Sequence, residues 1–380
     1  MNVLIAGDFC DTNRVSSYIL KKDFNHLFSG IKQVVETCDL SIVNFEFPVH
    51  TNYDKKIKKY GPALGGGIES IDAIKYAGFN VCTLANNHIL DLGERNCLET
   101  KKMLEAAGIK TVGVGRNITD ASESLFIEKE QKIVCIINCC EHEFSIASNN
   151  TAGANPLNPV EQYYKIKKAR ENADYVIVIV HGGHEHCQCP SPRMKHLYRF
   201  FVDAGADAVV NHHQHCYSGY EFYNGKPIVY GLGNLLFDRE GEIDGIWNYG
   251  YMVKLTFSSE KKVGLELFPY IQCNHDTTIS LLDNEALDDF NNSIYRLNEI
   301  IADDNLLNQE WEKWISKDGD WVLPILFEPW HNRILKALYN RHLLPSYLQG
   351  ERLYLIKNII ECESHSDRLK YLINKKVIEN

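Results

Sequence analysis

The sequence has no apolar run approaching the roughly 20 residues of a membrane span, so no helical span is expected. Its first residues, Met1-Asn2-Val3-Leu4-Ile5-Ala6-Gly7-Asp8, carry neither a basic stretch nor a long apolar one. They do not read as an export signal, and a cytoplasmic location is the expectation. Long runs of Lys and Arg are also missing. The densest basic stretch, Lys55, Lys56, Lys58 and Lys59, reads as a solvated loop. With a net charge of −10, nucleic-acid binding is not expected. A local basic pocket for an anionic substrate stays open. Internal repeats and low-complexity segments are missing too. Cysteine is not scarce: there are 12. Without an export signal they read as reduced thiols. Cys82, Cys135, Cys139 and Cys140 fall in apolar runs, as buried small hydrophobes do.

What is present is an ordinary globular composition, 44% hydrophobic and 24% charged over 380 residues. Short apolar runs rich in Val and Ile recur at Val3–Ala6, Leu40–Phe45, Asn80–Leu84, Thr111–Val114, Ile133–Asn138, Tyr175–Val180, Ala206–Val210 and Pro227–Tyr230. Each is bounded by polar or Gly residues, the pattern of buried strands. Helical patterns lie between them, near 25–37, 69–77, 94–107, 160–172 and 192–204. Gly78 and Gly205 each follow one of these as a C-cap. The alternation predicts α/β architecture. After about residue 248 the rhythm changes. Tyr251–Phe257 and Val263–Tyr270 read as an antiparallel strand pair joined by the polar turn Ser258–Lys262. From about 283 the pattern is helical, with Leu287, Phe290, Ile294, Leu297 and Ile301 at three- and four-residue spacing. Ile356, Ile359 and Ile360, then Leu369, Leu372 and Ile373, continue it. Trp311, Trp314, Trp321 and Trp330 all lie in this last hundred residues and read as core. The expected division is a domain over 1–275 and a helical extension over 283–380. The extension is expected to pack near the strand ends.

Five segments gather His, Asp, Glu and Asn where a strand should end. They are Gly7–Asp11, Asn44–Glu46, Asn86–Asp91, His181–His186 and Asn211–His215. Beyond the carboxyl ends of strands, side chains from separate segments converge on one point. A mixed carboxylate and imidazole set suits a divalent first-row metal. Two such cations bind both the attacking and the leaving oxygen of a phosphoryl centre and acidify bound water. A histidine that is not a ligand can protonate the leaving oxygen. Singly, the first three segments are no more than turns or capping clusters. The last two hold six of the 15 histidines (His181, His184, His186, His212, His213 and His215), a density that favours ligands over core. A rival structural zinc site, His186 with Cys187 and Cys189, lacks the usual Cys-x-x-Cys pairing.

Read together over residues 3 to 240, these motifs resemble the CapA family of poly-γ-glutamate capsule synthesis. That family is similar to the calcineurin-like metallophosphoesterases. The resemblance is carried by Gly7-Asp8, Asn44-Phe45-Glu46-Phe47-Pro48, Leu84 to Asp91, Gly113 to Asn117, His181-Gly-Gly-His-Glu185, Pro190-Ser-Pro-Arg193, Asp203 to Asp207, His212 to His215 and Gly225 to Asn234. It implies a four-layer α/β/β/α sandwich with a C-terminal helical extension. It implies metal ligands at Asp8, Glu46 (bridging), Asn87, His181, His213 and His215. Cys10 stands where a second ligand of the first motif belongs, and Asn211 where a Gly is usual. His88 is implied as the acid, with Asp91 beside it. Asn86, Glu185, Arg193 and His212 are expected to contact substrate. One or two ions of manganese, zinc or iron are implied, and an anionic small-molecule or polymer substrate. Three functions fit: a metal-dependent hydrolase, a non-hydrolytic component of polymer synthesis or export, and a module that grips a ligand without turnover.

Overall fold

The structure is a computed structural model. It describes residues 1–318 except 60, 242 and 259–262, then 332–346, 348–349 and single positions beyond. Trp321, Trp330, Ile359, Leu369, Leu372 and most of the turn at 258–262 lie outside the described residues.

Strand β1 (Asn2–Cys10) is apolar through most of its length because both its faces are covered. Val3 and Ile5 enter one apolar cluster, Leu4 and Ala6 another. That is the two-residue alternation of a strand buried on both sides. β2 (Leu40–Phe45), β3 (Val81–Thr83) and β4 (Lys110–Val112) follow it in parallel. Helices α1 (Asn13–Leu20), α2 (Phe24–Glu36), α3 (Glu69–Ala77) and α4 (Glu94–Ala106) connect them. β5 (Val114–Gly115) and β8 (Gly153–Ala154) make a small ladder beside α5 (Ile118–Ala121).

A second sheet comes from β6 (Leu125–Lys129), β7 (Lys132–Cys140), β9 (Tyr175–His181), β10 (Ala208–His212), β11 (Tyr220–Tyr223) and β12 (Lys226–Val229). Helices α6 (Pro159–Asn172) and α7 (Pro192–Ala204) cover it. The chain then returns to the first sheet with β13 (Asn234–Phe237), β14 (Tyr249–Phe257), β15 (Val263–Ile271) and β16 (Ser280–Leu281). β14 and β15 are the expected antiparallel pair, in register Tyr251↔Pro269, and β14 also pairs antiparallel with β1. The sheet orders are β16-β15-β14-β1-β2-β3-β4, with β13 also on β1, and β11-β12-β10-β9-β7-β6.

Three apolar clusters separate four layers. Ile5, Ile42, Val81, Ile177, Ile179 and Val210 lie between the sheets. Leu27, Phe28, Ile31 and Val35 of α2 pack on the outside of the first sheet. Tyr198, Phe201 and Val202 of α7 pack on the outside of the second. Each fully buried Val, Leu, Ile or Phe contributes about 1.5–3 kcal/mol. The order helix, sheet, sheet, helix is the sandwich that the resemblance implies. Local signals set the helix starts: the Ser191 side chain accepts from Met194 N at 3.3 Å, with Pro192 opening α7.

The chain divides into compact units Met1–Trp311 and Glu312–Asn380. Helix α8 (Asn284–Ala302) lies in the first, with Phe290, Ile294, Leu297 and Ile301 buried as their spacing predicts. α9 (Asp304–Asp318) runs across the division. The second unit contains α10 (Arg333–Tyr339), capped by the Asn332 side chain, which accepts from Leu335 N. Among the described residues no helix is long and apolar enough to cross a membrane.

Candidate metal centre

β1, β2 and β3 run parallel to one another in one sheet, as β9 and β10 do in the other, and the chemistry-bearing residues sit at their carboxyl ends. Asp8 pairs in register with Asn44, and His181 with His212. Gly7 is needed just before Asp8. A Cβ there would stand 2.0 Å from the Gly233 carbonyl oxygen, where β13 approaches β1.

Asp8 is the hub. Its Oδ1 accepts from Asn44 Nδ2 at 2.7 Å and its Oδ2 from the His213 backbone N–H at 3.1 Å. His215 Nδ1 lies 3.6 Å from Oδ2. Glu46 is 0% exposed, and among the described residues neither of its oxygens has a hydrogen-bond partner. A buried carboxylate left in that state is costly. Burial, and then the Asp8 charge, push its pKa well above the usual carboxylate range. Its Oε1 faces His181 Nε2 at 3.5 Å and His215 Nε2 at 3.8 Å.

The histidines are arranged around those carboxylates. His181 Nε2 faces Asn87 Oδ1 at 3.0 Å and His213 Nδ1 at 3.1 Å. Burial, and then the neighbouring imidazoles, His213 first, hold His181 well below the ordinary histidine range. His215 Nδ1 meets Asn234 Oδ1 at 2.8 Å, which directs Nε2 toward Glu46. Burial also lowers the pKa of His215, against the pull of Asp8. Neutral imidazoles are the form that binds metal. His213 and His215 have φ of 89° and 53°. Such left-handed conformations cost on the order of 1–3 kcal/mol each and mark functional loops. Asn211, in place of the usual Gly, braces this turn: its Nδ2 donates to Gly182 O at 2.8 Å and Tyr230 O at 3.1 Å.

Three overlapping donor groups result: Asp8, Glu46 and His215; Glu46, His181 and His213; and Glu185, His213 and His215. Within each, one ligand atom per residue lies within 4.8 Å of the others. Glu46 belongs to the first two. The orphaned Glu46 oxygens and this donor chemistry fit a divalent cation.

His88 Nδ1 meets Asp91 Oδ2 at 2.7 Å, and Asp91 is 0% exposed. The Asn87 amide, whose Oδ1 faces His181 Nε2, donates through Nδ2 to Glu143 Oε2 at 2.9 Å. Two supporting residues were not legible in the sequence. One is this Glu143. The other is Lys59, from the basic stretch expected as solvated loop. Lys55, Lys56 and Lys58 are exposed, but the Lys59 side chain is 3% exposed and ion-pairs with Asp91 Oδ1. Its Nζ also lies 3.1 Å from His88 Nδ1.

Of the four residues expected at substrate, Glu185 and Arg193 are at the surface, and Arg193 is paired with Glu141. Asn86 and His212 are buried inside. The Asn86 amide donates to Phe45 O at 2.9 Å, and its Oδ1 accepts from His88 N at 3.1 Å, so it braces the ligand loop. His212 Nδ1 lies 3.3 Å from Asp8 Oδ1 without hydrogen-bond alignment, behind the donor groups. Cys10 packs in the apolar cluster between sheet and helices. Burial, and then the Glu46 charge, raise its thiol pKa. Among the described residues no donor group includes it. Asp11 turns away as well, accepting from Gly67 N at 3.0 Å and Ser70 Oγ at 2.8 Å. The rival trio of His186, Cys187 and Cys189 forms no donor group among the described residues; Cys187 Sγ instead donates to Cys189 O.

A family model, described as the bacterial capsule synthesis protein PGA_cap, matches residues 2–239. The capsule biosynthesis protein CapA of Bacillus anthracis is 31% identical over 249 residues, covering 63% of this chain and 60% of that protein. The PGA biosynthesis protein CapA of Bacillus subtilis (strain 168) is 30% identical over 244 residues, covering 63% and 64%. The match thus spans less than two thirds of these relatives. A Mycobacterium tuberculosis (strain CDC 1551 / Oshkosh) protein named as a probable polyglutamine synthesis accessory protein is 28% identical, covering 53% and 58%. Among solved structures, a 5'-nucleotidase precursor from Thermus thermophilus aligns at 12% identity and TM-score 0.45, covering 71% of this chain and 54% of that one.

Proposed function

Because the chain belongs to the family of the bacterial capsule synthesis protein PGA_cap, we propose that it is a metal-dependent hydrolase of the phosphoesterase type acting in capsule-polymer metabolism. Its substrate is an anionic small molecule or a poly-γ-glutamate-like polymer. The observation that carries this reading is Glu46, buried with two unpartnered oxygens where two donor groups meet. A divalent cation bound there supplies Lewis-acid polarisation of a substrate oxygen and acidifies water. Asp8, Glu46, Asn87, His181, His213 and His215 hold it. Asn44 and Asn234 fix the orientation of Asp8 and His215. His88, oriented by Asp91, delivers a proton to the leaving oxygen from its Nε2.

The test is metal analysis of purified protein together with turnover of a nitrophenyl phosphomonoester and phosphodiester in manganese. The expected result is bound metal, turnover, and a loss of at least about 100-fold in His213→Ala. A metal-free protein whose His213→Ala form matches the wild type refutes the reading.

A second reading is a non-hydrolytic component of polymer synthesis. The accessory role in the mycobacterial relative's name favours it, as does the thiol at position 10. Metal binding without turnover of either ester, with capture of polymer-synthesis subunits, supports this second reading over the first.

A further inference from the structure

The two ligand groups that share Glu46 are unequal. The group of Glu46, His181 and His213 has a fourth donor in Asn87, whose Oδ1 lies 3.0 Å from His181 Nε2. The group of Asp8, Glu46 and His215 has none, because Cys10 lies in the apolar cluster. A first-row dication held by three protein atoms at one position and four at the other is bound unequally.

We propose that Glu185 takes the coordination position that Cys10 leaves empty, so that the site holds two cations. This rests on the hydrolase reading and adds a ligand to it. The carboxylate of Glu185 forms a donor group with His213 and His215, one member from each of the other two groups. It therefore shares one histidine with each of them, and it is exposed where they are buried. Glu46, whose oxygens have no hydrogen-bond partner among the described residues, belongs to both of the groups whose histidines Glu185 shares.

Its placement is fixed by backbone, not by chance proximity of a surface acid. The segment bearing Glu185 is stitched to the segment bearing the two histidines on both sides. Gly182 N donates to His212 O at 3.2 Å, and His186 N to Gln214 O at 2.8 Å. Gln214 Nε2 donates to Cys187 O at 2.8 Å. Gly183, with φ of 107°, makes the turn that brings Glu185 round, and its N–H donates to Glu141 Oε2 at 3.2 Å. Two loops that each carry ligands are thus held in one register, and Glu185 moves with the histidines it faces.

The experiment titrates manganese into metal-stripped full chain by calorimetry, with elemental analysis after gel filtration. Wild type, Glu185→Gln, Cys10→Ser and Glu185→Asp are compared. The expected result is two ions per chain in the wild type and in Cys10→Ser. Glu185→Gln weakens the second ion at least tenfold, and Glu185→Asp restores part of that loss. The cobalt form of the wild type shows no thiolate-to-metal charge-transfer band. Retention of both ions within twofold in Glu185→Gln overturns the inference. So does loss of an ion, with a thiolate band, that depends on Cys10. A wild type that takes up a single ion overturns it and leaves the hydrolase reading standing; a wild type that binds none overturns both. Circular dichroism of each variant, melting with the wild type, shows that lost binding is not lost folding.

Discussion

The ammonium of Lys59 and the carboxylate of Asp91 are paired out of contact with solvent, with side chains 3% and 0% exposed, 32 residues apart in sequence. Asp91 also accepts from Leu64 N at 2.7 Å and holds His88 Nδ1. One carboxylate thus fastens the loop over residues 55–64 and orients the imidazole. Removing one partner of a buried pair costs about 3–5 kcal/mol, because the other charge is left behind. Lys59→Ala is expected to lose stability of about that size in urea unfolding. The double variant Lys59→Met with Asp91→Leu loses less than the sum of the two single changes. Additive losses count against coupling.

Glu143 is expected to matter for metal although no donor group among the described residues includes it. It holds the Asn87 amide so that Oδ1 faces His181. Loss of such an outer partner typically weakens a metal site 10–100-fold. Glu143→Ala should weaken manganese binding in calorimetry within that range. Glu143→Gln, which keeps an acceptor oxygen, should fall between the variant and the wild type. Equal affinity in all three removes Glu143 from the account.

Removing the metal is expected to lower the melting temperature. The ligands are buried acids and imidazoles whose mutual repulsion the cation relieves. Saturation at about 100 times Kd adds about 2.7 kcal/mol. For a unit the length of Met1–Trp311 that is a rise of roughly 4 °C. Fluorimetric melts with manganese and with chelator measure it, and coincident curves contradict it.

Gly7→Ala tests the crossing of β1 and β13 beneath Asp8. Its new methyl meets the Gly233 carbonyl oxygen at 2.0 Å, backbone against backbone. Overpacking of this kind costs about 1–3 kcal/mol or more. The shift displaces Asp8, so metal affinity and melting temperature should fall together. A variant that melts with the wild type and binds metal normally rules out the close approach.

The strands were legible because of how they are buried. β9 reads Val-Ile-Val-Ile-Val, with Ile177 and Ile179 turned between the sheets and Val176, Val178 and Val180 turned to α7. A run apolar on both faces is what the sequence displays. The gathering of the candidate donors was legible for a related reason: parallel strands release polar residues at one edge. Substrate residues were harder to read. Asn86 and His212 adjoin candidate donors in sequence, but Asn86 is taken up by Phe45 O and His88 N within its own turn, and His212 ends β10 buried beside Asp8. Lys59 and Glu143 gave no signal, since each acts on a partner far away in the chain, and a loop lysine or glutamate has no local signature of burial. Short β13, which completes the crossing at Asp8, carries too few residues to show a period.

The proposed ligands come from both halves of the sandwich. Asp8, Glu46 and Asn87 hang from the first sheet, and His181, His213, His215 and Glu185 from the second. A cation among them is a clasp between two plates. The gap it must bridge is set by the side chains between the plates, Ile42, Ile179 and Val210 among them. Sandwich thickness then acts as a gauge for ionic radius. Thinning or wedging that layer tunes which cation fits, with every ligand left in place.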